Sequence, residues 1–192
     1  IPGGRLRLRL PHPRHGSRAK AQFASKVAVE LARHTSDAAR PLILSEENLP
    51  GRMMHFANGQ FYPAAEARFS TLKTSLPGPV RRLVFVVRSY ADLYVSGYRK
   101  RAEDNPVEPF ERRHKALMGM DRGWPEVVAL LRDVLAPEEL LVLEYGARGS
   151  SAELLRHLVP TLSMVPLAEP DRTLNRSATD AALEELQARY HD

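Results

Sequence analysis

The run Leu83-Val-Phe-Val-Val87 constrains this chain more than any other stretch. Its apolar residues, rich in β-formers, continue without polar alternation, which is how a central parallel strand buried on both faces reads. The run ends abruptly at Arg88 and gives way to a helical pattern that carries Ser96. Arg88 is therefore expected where the strand leaves the sheet, at the carboxyl edge where open α/β sheets bind their ligands. An arginine there offers a planar fork of donors suited to a phosphate, and a serine hydroxyl in the next helix adds one more. The same arginine could instead cap a neighbouring helix or pair with a carboxylate.

The rest of the chain alternates in the same way. Arg5-Leu-Arg-Leu-Arg-Leu10 alternates strictly and reads as a half-buried or edge strand with its arginines outward, and Pro11 to Gly16 as a turn. Ser17 is expected to cap a helix whose apolar stripe is Phe23/Ala24, Val27/Ala28 and Leu31. A second buried strand is expected over 41–45, then a loop from Gly51 to Tyr62. A helix with Pro63 near its start carries Ala65, Phe69, Leu72 and Leu76 at helical spacing. After the Leu83–Val87 strand, helices are predicted over 90–102, 109–118, 124–135 and 151–159, with a strand over 140–145. Ser177 is expected to cap a last helix bearing Leu183, Leu186 and Tyr190 on one face, with Asp180 at the capping-box position. Trp124 and Tyr145 read as core. Strands alternating with helices predict an α/β fold, a small parallel sheet covered on both sides. Right-handed crossovers would bring Ser45, Glu47 and Arg88 to one edge of it.

At 192 residues the chain fits a single domain with one substantial core. A hydrophobic content of 43% and a charged content of 27% are those of a soluble globular protein, and no run approaches a membrane span. A cytoplasmic location is the expectation. With no cysteine there is no disulfide framework, thiolate nucleophile or cysteine-ligated metal. His12 and His15 have no acid or cysteine beside them, so no metal site is expected. The net charge of +5 is unevenly spread: seven basic residues and no acid lie between Arg5 and Val29, with further clusters at 99–101 and 112–115. Such fields attract polyanions, and they also serve simply as solvated surface.

The Arg88 segment, a strand ending in Arg with a Ser in the next helix, resembles the 3′-phosphate-binding segment of sulfotransferases that use 3′-phosphoadenosine 5′-phosphosulfate (PAPS). Pro41-Leu-Ile-Leu-Ser-Glu-Glu-Asn-Leu-Pro-Gly51 is similar to the strand ending in Ser-x-Glu that bacterial and carbohydrate sulfotransferases place beside the acceptor, with Ser45 and Glu47 at the matching positions. The likeness continues through a Trp-led helix, the strand Leu140 to Tyr145, and Leu174-Asn-Arg-Ser177. It covers the chain from about residue 40 to its end. The resemblance implies a three-layer α/β/α domain of the nucleotide-binding type shared with P-loop kinases.

The activity it implies is transfer of a sulfuryl group from PAPS to a hydroxyl of a carbohydrate or small metabolite, without a metal and with PAP as product. Arg88 and Ser96 would hold the 3′-phosphate, and Asn175 and Arg176 would line the nucleotide or acceptor pocket. Glu47 would be the general base, since sulfuryl transfer requires the acceptor hydroxyl to lose its proton. Neighbouring strand residues point opposite ways, so Glu46 is the alternative, and His55 a second one. The family also binds the 5′-phosphosulfate on a Lys-containing loop before a helix N-terminus. Pro13-Arg-His-Gly-Ser17 is the nearest match, with Arg14 standing for the lysine and Ser17 for the hydroxyl, but it lies too close to Ser45 for the family layout. The chain starts at Ile1, and the loop is expected upstream of it. Two rivals remain: a non-catalytic protein of the same fold that binds a nucleotide or anionic glycan, and a nucleic-acid-binding module. The second lacks interleaved aromatics and any groove-binding motif.

Overall fold

The computed structural model describes residues 16–34, 42–162 and 178–191. It mixes helices with a small two-stranded parallel sheet, compatible with a small α/β fold. The chain gathers into two compact units. One holds the described residues up to Arg52 with Tyr62–Leu83 and Trp124–Leu140; the other holds Met53–Phe61, Val84–Gly123 and the described residues from Leu141 on. No helix among the described residues is long and apolar enough to cross a membrane.

The first unit is a helical core. Helix α1 (Gly16–His34) buries Phe23, Val27 and Leu31, the stripe its spacing predicts, and Leu49, Leu72 and Leu76 pack against them. Helix α2 (Ala65–Ser75) packs on both α1 and α5 (Trp124–Leu135). Ala65 and Phe69 of α2 are fully buried, as are Val127 and Leu131 of α5. Each large side chain buried in this way contributes about 1.5–3 kcal/mol. The hydroxyls of Thr71 and Ser75, also buried, donate to the carbonyls of Ala67 and Thr71, each at 2.6 Å, so α2 carries its inward polar groups without penalty. Lys73 closes the C-terminal end of α5 by donating to the Leu135 carbonyl at 3.0 Å.

Two expectations fail in this unit. The described part of the segment predicted as a strand over 41–45 has no regular structure, and Leu42, Ile43 and Leu44 are each 38% exposed. An apolar run becomes a strand only where a neighbour takes up its backbone donors and acceptors, and among the described residues only β1 (Arg82–Val87) and β2 (Glu139–Glu144) pair. Helix α1 starts at Gly16, so Ser17 lies inside its first turn rather than at the cap.

In the second unit β1 leads into α3 (Tyr90–Asp104), followed by α4 (Phe110–Met118), and β2 leads to α6 (Ser151–Leu158). Within β1 only Phe85 is buried and its neighbours are half-exposed, so the strand is not enclosed on both faces as its unbroken apolar run predicts. A 3-10 helix, Met53–Asn58, packs against α3 and α4. Its Phe56 stacks on Phe61 at 5.2 Å and meets Tyr94 edge-on at 5.8 Å. Helix α7 (Asp180–His191) docks on α3: Arg99 binds Asp180 and the Ala178 carbonyl, and Gln187 donates to the carbonyls of Ala102 and Asn105 at 2.7 and 2.9 Å. The hydroxyl of Thr179 accepts the Ala182 N–H at 3.3 Å and so caps α7. The predicted cap, Ser177, lies outside the described residues.

Candidate functional site

The junction of β1 and α3 brings together the two residues singled out by the sequence. The chain passes from strand to helix through Arg88 and Ser89 alone. Ser89 is the N-cap: its hydroxyl oxygen accepts the Asp92 N–H at 3.1 Å and the hydroxyl donates to the Asp92 carboxylate at 2.8 Å. This fixes the first turn of α3, and Ser96 follows about two turns further along. Arg88 Nη1 then lies 3.5 Å from Ser96 Oγ, a long hydrogen bond. Both residues are half-exposed.

A third residue joins them. Tyr145 follows β2 directly and is 44% exposed, so the expectation that it belongs to the core is wrong. Its ring carries two guanidinium groups instead, Arg88 at 4.5 Å and Arg148 at 4.3 Å from the ring centre. Each such contact at an exposed ring contributes about 0.5–1 kcal/mol and, more to the point, holds a cation in place. Gly149, with φ +71, lets the chain turn from Arg148 into the capping box of α6. There Glu153 accepts the Ser150 N–H at 2.7 Å, and this bond, with that from the Ser150 hydroxyl, holds the Glu153 carboxyl below its ordinary pKa.

The acidic candidates sit on a turn of the first unit. The N–H of Gly51, at φ +128, donates to the Asn48 carbonyl at 3.0 Å. The Glu46 carboxylate accepts the Asn48 N–H at 2.8 Å and is engaged in shaping this turn. Glu47 is exposed, and no hydrogen bond or ion pair holds it among the described residues. Ser45 is exposed as well. What fixes the turn is Arg68, a buried arginine of α2 that donates to the carbonyls of Leu49 and Asn48 at 3.0 and 2.7 Å. Burial lowers the Arg68 pKa, and the Glu46 charge opposes that shift.

His55 lies half-buried in the 3-10 helix of the second unit, its carbonyl accepting the Gln60 N–H at 3.3 Å. The basic clusters are partly spent on the fold. Arg99 ties down α7, Lys100 pairs with Glu103, and Arg113 bonds the Ala57 carbonyl and Glu108, each at 3.2 Å. Arg14, Asn175 and Arg176 lie outside the described residues, and of Ser17 only the backbone is described. No group of three or more acids and histidines that could hold a metal occurs among the described residues.

Three contributors escaped the sequence reading: Arg68, Tyr145 and Arg148. Arg68 had a signal, since positions 65, 68, 69 and 72 share one helical face and a lone arginine on an apolar stripe needs buried acceptors. The other two are carried by Tyr145-Gly-Ala-Arg-Gly149, a glycine-bounded strand exit with an arginine. Comparisons with protein-family models, curated proteins and solved structures find no match for this chain.

Proposed function

We propose that this chain is a PAPS-dependent sulfotransferase of the three-layer, P-loop-like type, acting on a hydroxyl of a carbohydrate or small metabolite. The observation that carries the reading is the meeting of Arg88 with Ser96 at the strand-to-helix junction, 3.5 Å apart and half-exposed. A guanidinium and a hydroxyl converging there supply charge-assisted and neutral donors to one phosphate, which is what fixing the 3′-phosphate of the donor requires. Glu47 accepts the proton of the acceptor hydroxyl as its oxygen bonds to sulfur and the bond from sulfur to the departing PAP phosphate breaks. Glu47 takes this role over Glu46, whose carboxylate is engaged by the Asn48 N–H. Positioning and charge stabilisation carry most of the rate, as in phosphoryl transfer.

Calorimetric titration with PAP and with 5′-AMP tests the reading. PAP should bind more tightly, and Arg88→Ala should weaken PAP by about 1.5–3 kcal/mol while leaving 5′-AMP nearly unchanged. Equal weakening of both ligands, or a wild-type protein that does not bind PAP, refutes the assignment. Tight PAP binding with no transfer to any hydroxylated acceptor would point to the non-catalytic form of the same fold.

A further inference from the structure

Arg148 has no carboxylate partner among the described residues; its one hydrogen bond is a long one, 3.5 Å, to the adjacent Gly149 carbonyl. It nevertheless has a defined position, with its guanidinium 4.3 Å from the centre of the Tyr145 ring. Arg88 lies 4.5 Å from the same centre, so the two guanidinium carbons are within about 9 Å of one another. Two like charges held against one half-exposed ring make a positive patch that favours an anion. Arginine grips phosphate oxygens through contacts of about 2.7–2.9 Å, and two guanidinium groups anchored on one exposed ring offer such donors from neighbouring positions.

We propose that Arg148, positioned by Tyr145, is the second arm of the anion site formed by Arg88 and Ser96, and that the paired arginines select a phosphate monoester dianion. The proposal rests on the sulfotransferase reading, in which that dianion is the 3′-phosphate of PAP. Arg88 and Ser96 alone would bind any oxyanion. A second cation adds discrimination in favour of a doubly charged group over a singly charged sulfate ester or phosphodiester. Tyr145 acts as a positioning residue through its ring face.

The test is calorimetry with PAP on the full chain, with thermal melting alongside. Arg148→Ala should weaken PAP at least about tenfold with an unchanged melting temperature, because a surface guanidinium without an acidic partner contributes little to folding. Arg148→Lys should recover only part of the affinity, since an ammonium neither stacks nor forks. Tyr145→Phe should bind PAP like the wild type, and Tyr145→Ala should behave like Arg148→Ala. PAP binding lost in Arg88→Ala but intact in Arg148→Ala overturns this proposal and leaves the sulfotransferase reading standing. A wild-type protein indifferent to PAP overturns both. A fall in melting temperature that accounts for the lost affinity, also seen in Arg148→Lys, assigns Arg148 to the fold and refutes the proposal.

Discussion

The Arg88–Ser96 junction and the Glu46–Gly51 turn each hold candidate residues, and they are held by opposite means. At the junction the backbone is set by local rules: the strand ends, Ser89 caps the helix, and the helical repeat brings Ser96 toward Arg88, whose guanidinium alone reaches a distant partner, the Tyr145 ring. The turn has one local bond to its glycine and one to Glu46, and its shape otherwise depends on Arg68 reaching across from α2. A junction built from short-range rules forms whenever its strand and helix form. A turn clamped by a distant buried cation exists only while the helical core around that cation is intact.

The largest expected effect separates the two regions by chemistry. Glu47→Gln should lower sulfuryl transfer about 10²–10⁴-fold while leaving PAP binding unchanged, read by single-turnover rates beside calorimetry. Near wild-type turnover would move the base to Glu46, within the same turn, or to His55, which would remove the turn from the site. Next in size, Arg68→Met keeps the length of the side chain but leaves the Asn48 and Leu49 carbonyls without their charged donor. Urea unfolding should show a loss of about 1.5–3 kcal/mol, with PAP binding at the junction preserved under native conditions. An unchanged midpoint would mean that the turn stands without the arginine, and the contrast between the regions would collapse.

A smaller effect is expected at Gly149. A Cβ there would lie 2.5 Å from the Glu153 carboxylate, on a residue whose φ of +71 disfavours any side chain. Gly149→Ala should therefore break the α6 capping box at a cost of about 1–2 kcal/mol, visible in thermal melts. The smallest effect is acid sensitivity. Glu153 is held below its ordinary pKa by the Ser150 N–H, and Glu103 by Lys100 and the Ala178 N–H. The fold thus favours their ionised forms. Their contribution is complete above the unfolded carboxylate value and is lost as pH falls through it toward the depressed folded values. Stability should decline below about pH 4.5, and less so in Glu153→Gln. A Glu153→Gln variant with the wild-type acid profile would show that the capping box carries none of it.

The same contrast explains what could be read from the sequence. Helices α1, α2 and α5 follow their apolar stripes closely, because a repeating pattern of Phe23, Val27 and Leu31, or Val127, Leu131 and Leu135, buries one face whatever the partner. The approach of Ser96 to Arg88 was likewise legible, being a matter of local spacing. Leu42 to Leu44 has the composition of a strand, but strand formation depends on a neighbour, and no local pattern supplies one. Arg68 was invisible as a clamp because its acceptors are backbone carbonyls, which every residue possesses. Tyr145 looked like core because an aromatic after an apolar strand usually is; instead it is partly exposed and two arginines pack on its ring.

Gly97 has a consequence for the serine beside it. A Cβ at this position would meet Met53 Cβ and Phe56 Cδ2 at 3.4 Å each, so α3 rests directly on the 3-10 helix along its glycine. Consecutive residues of a helix are separated by about 100° of rotation, so the angular setting of α3 about its own axis fixes where Ser96 points once Gly97 is seated. A Cβ there would already be at contact distance, so a side chain larger than a methyl at 97 would lift or roll the helix and swing the serine hydroxyl with it. The aim of the hydroxyl toward Arg88 is thus governed from the neighbouring position, by a residue that contributes no side chain.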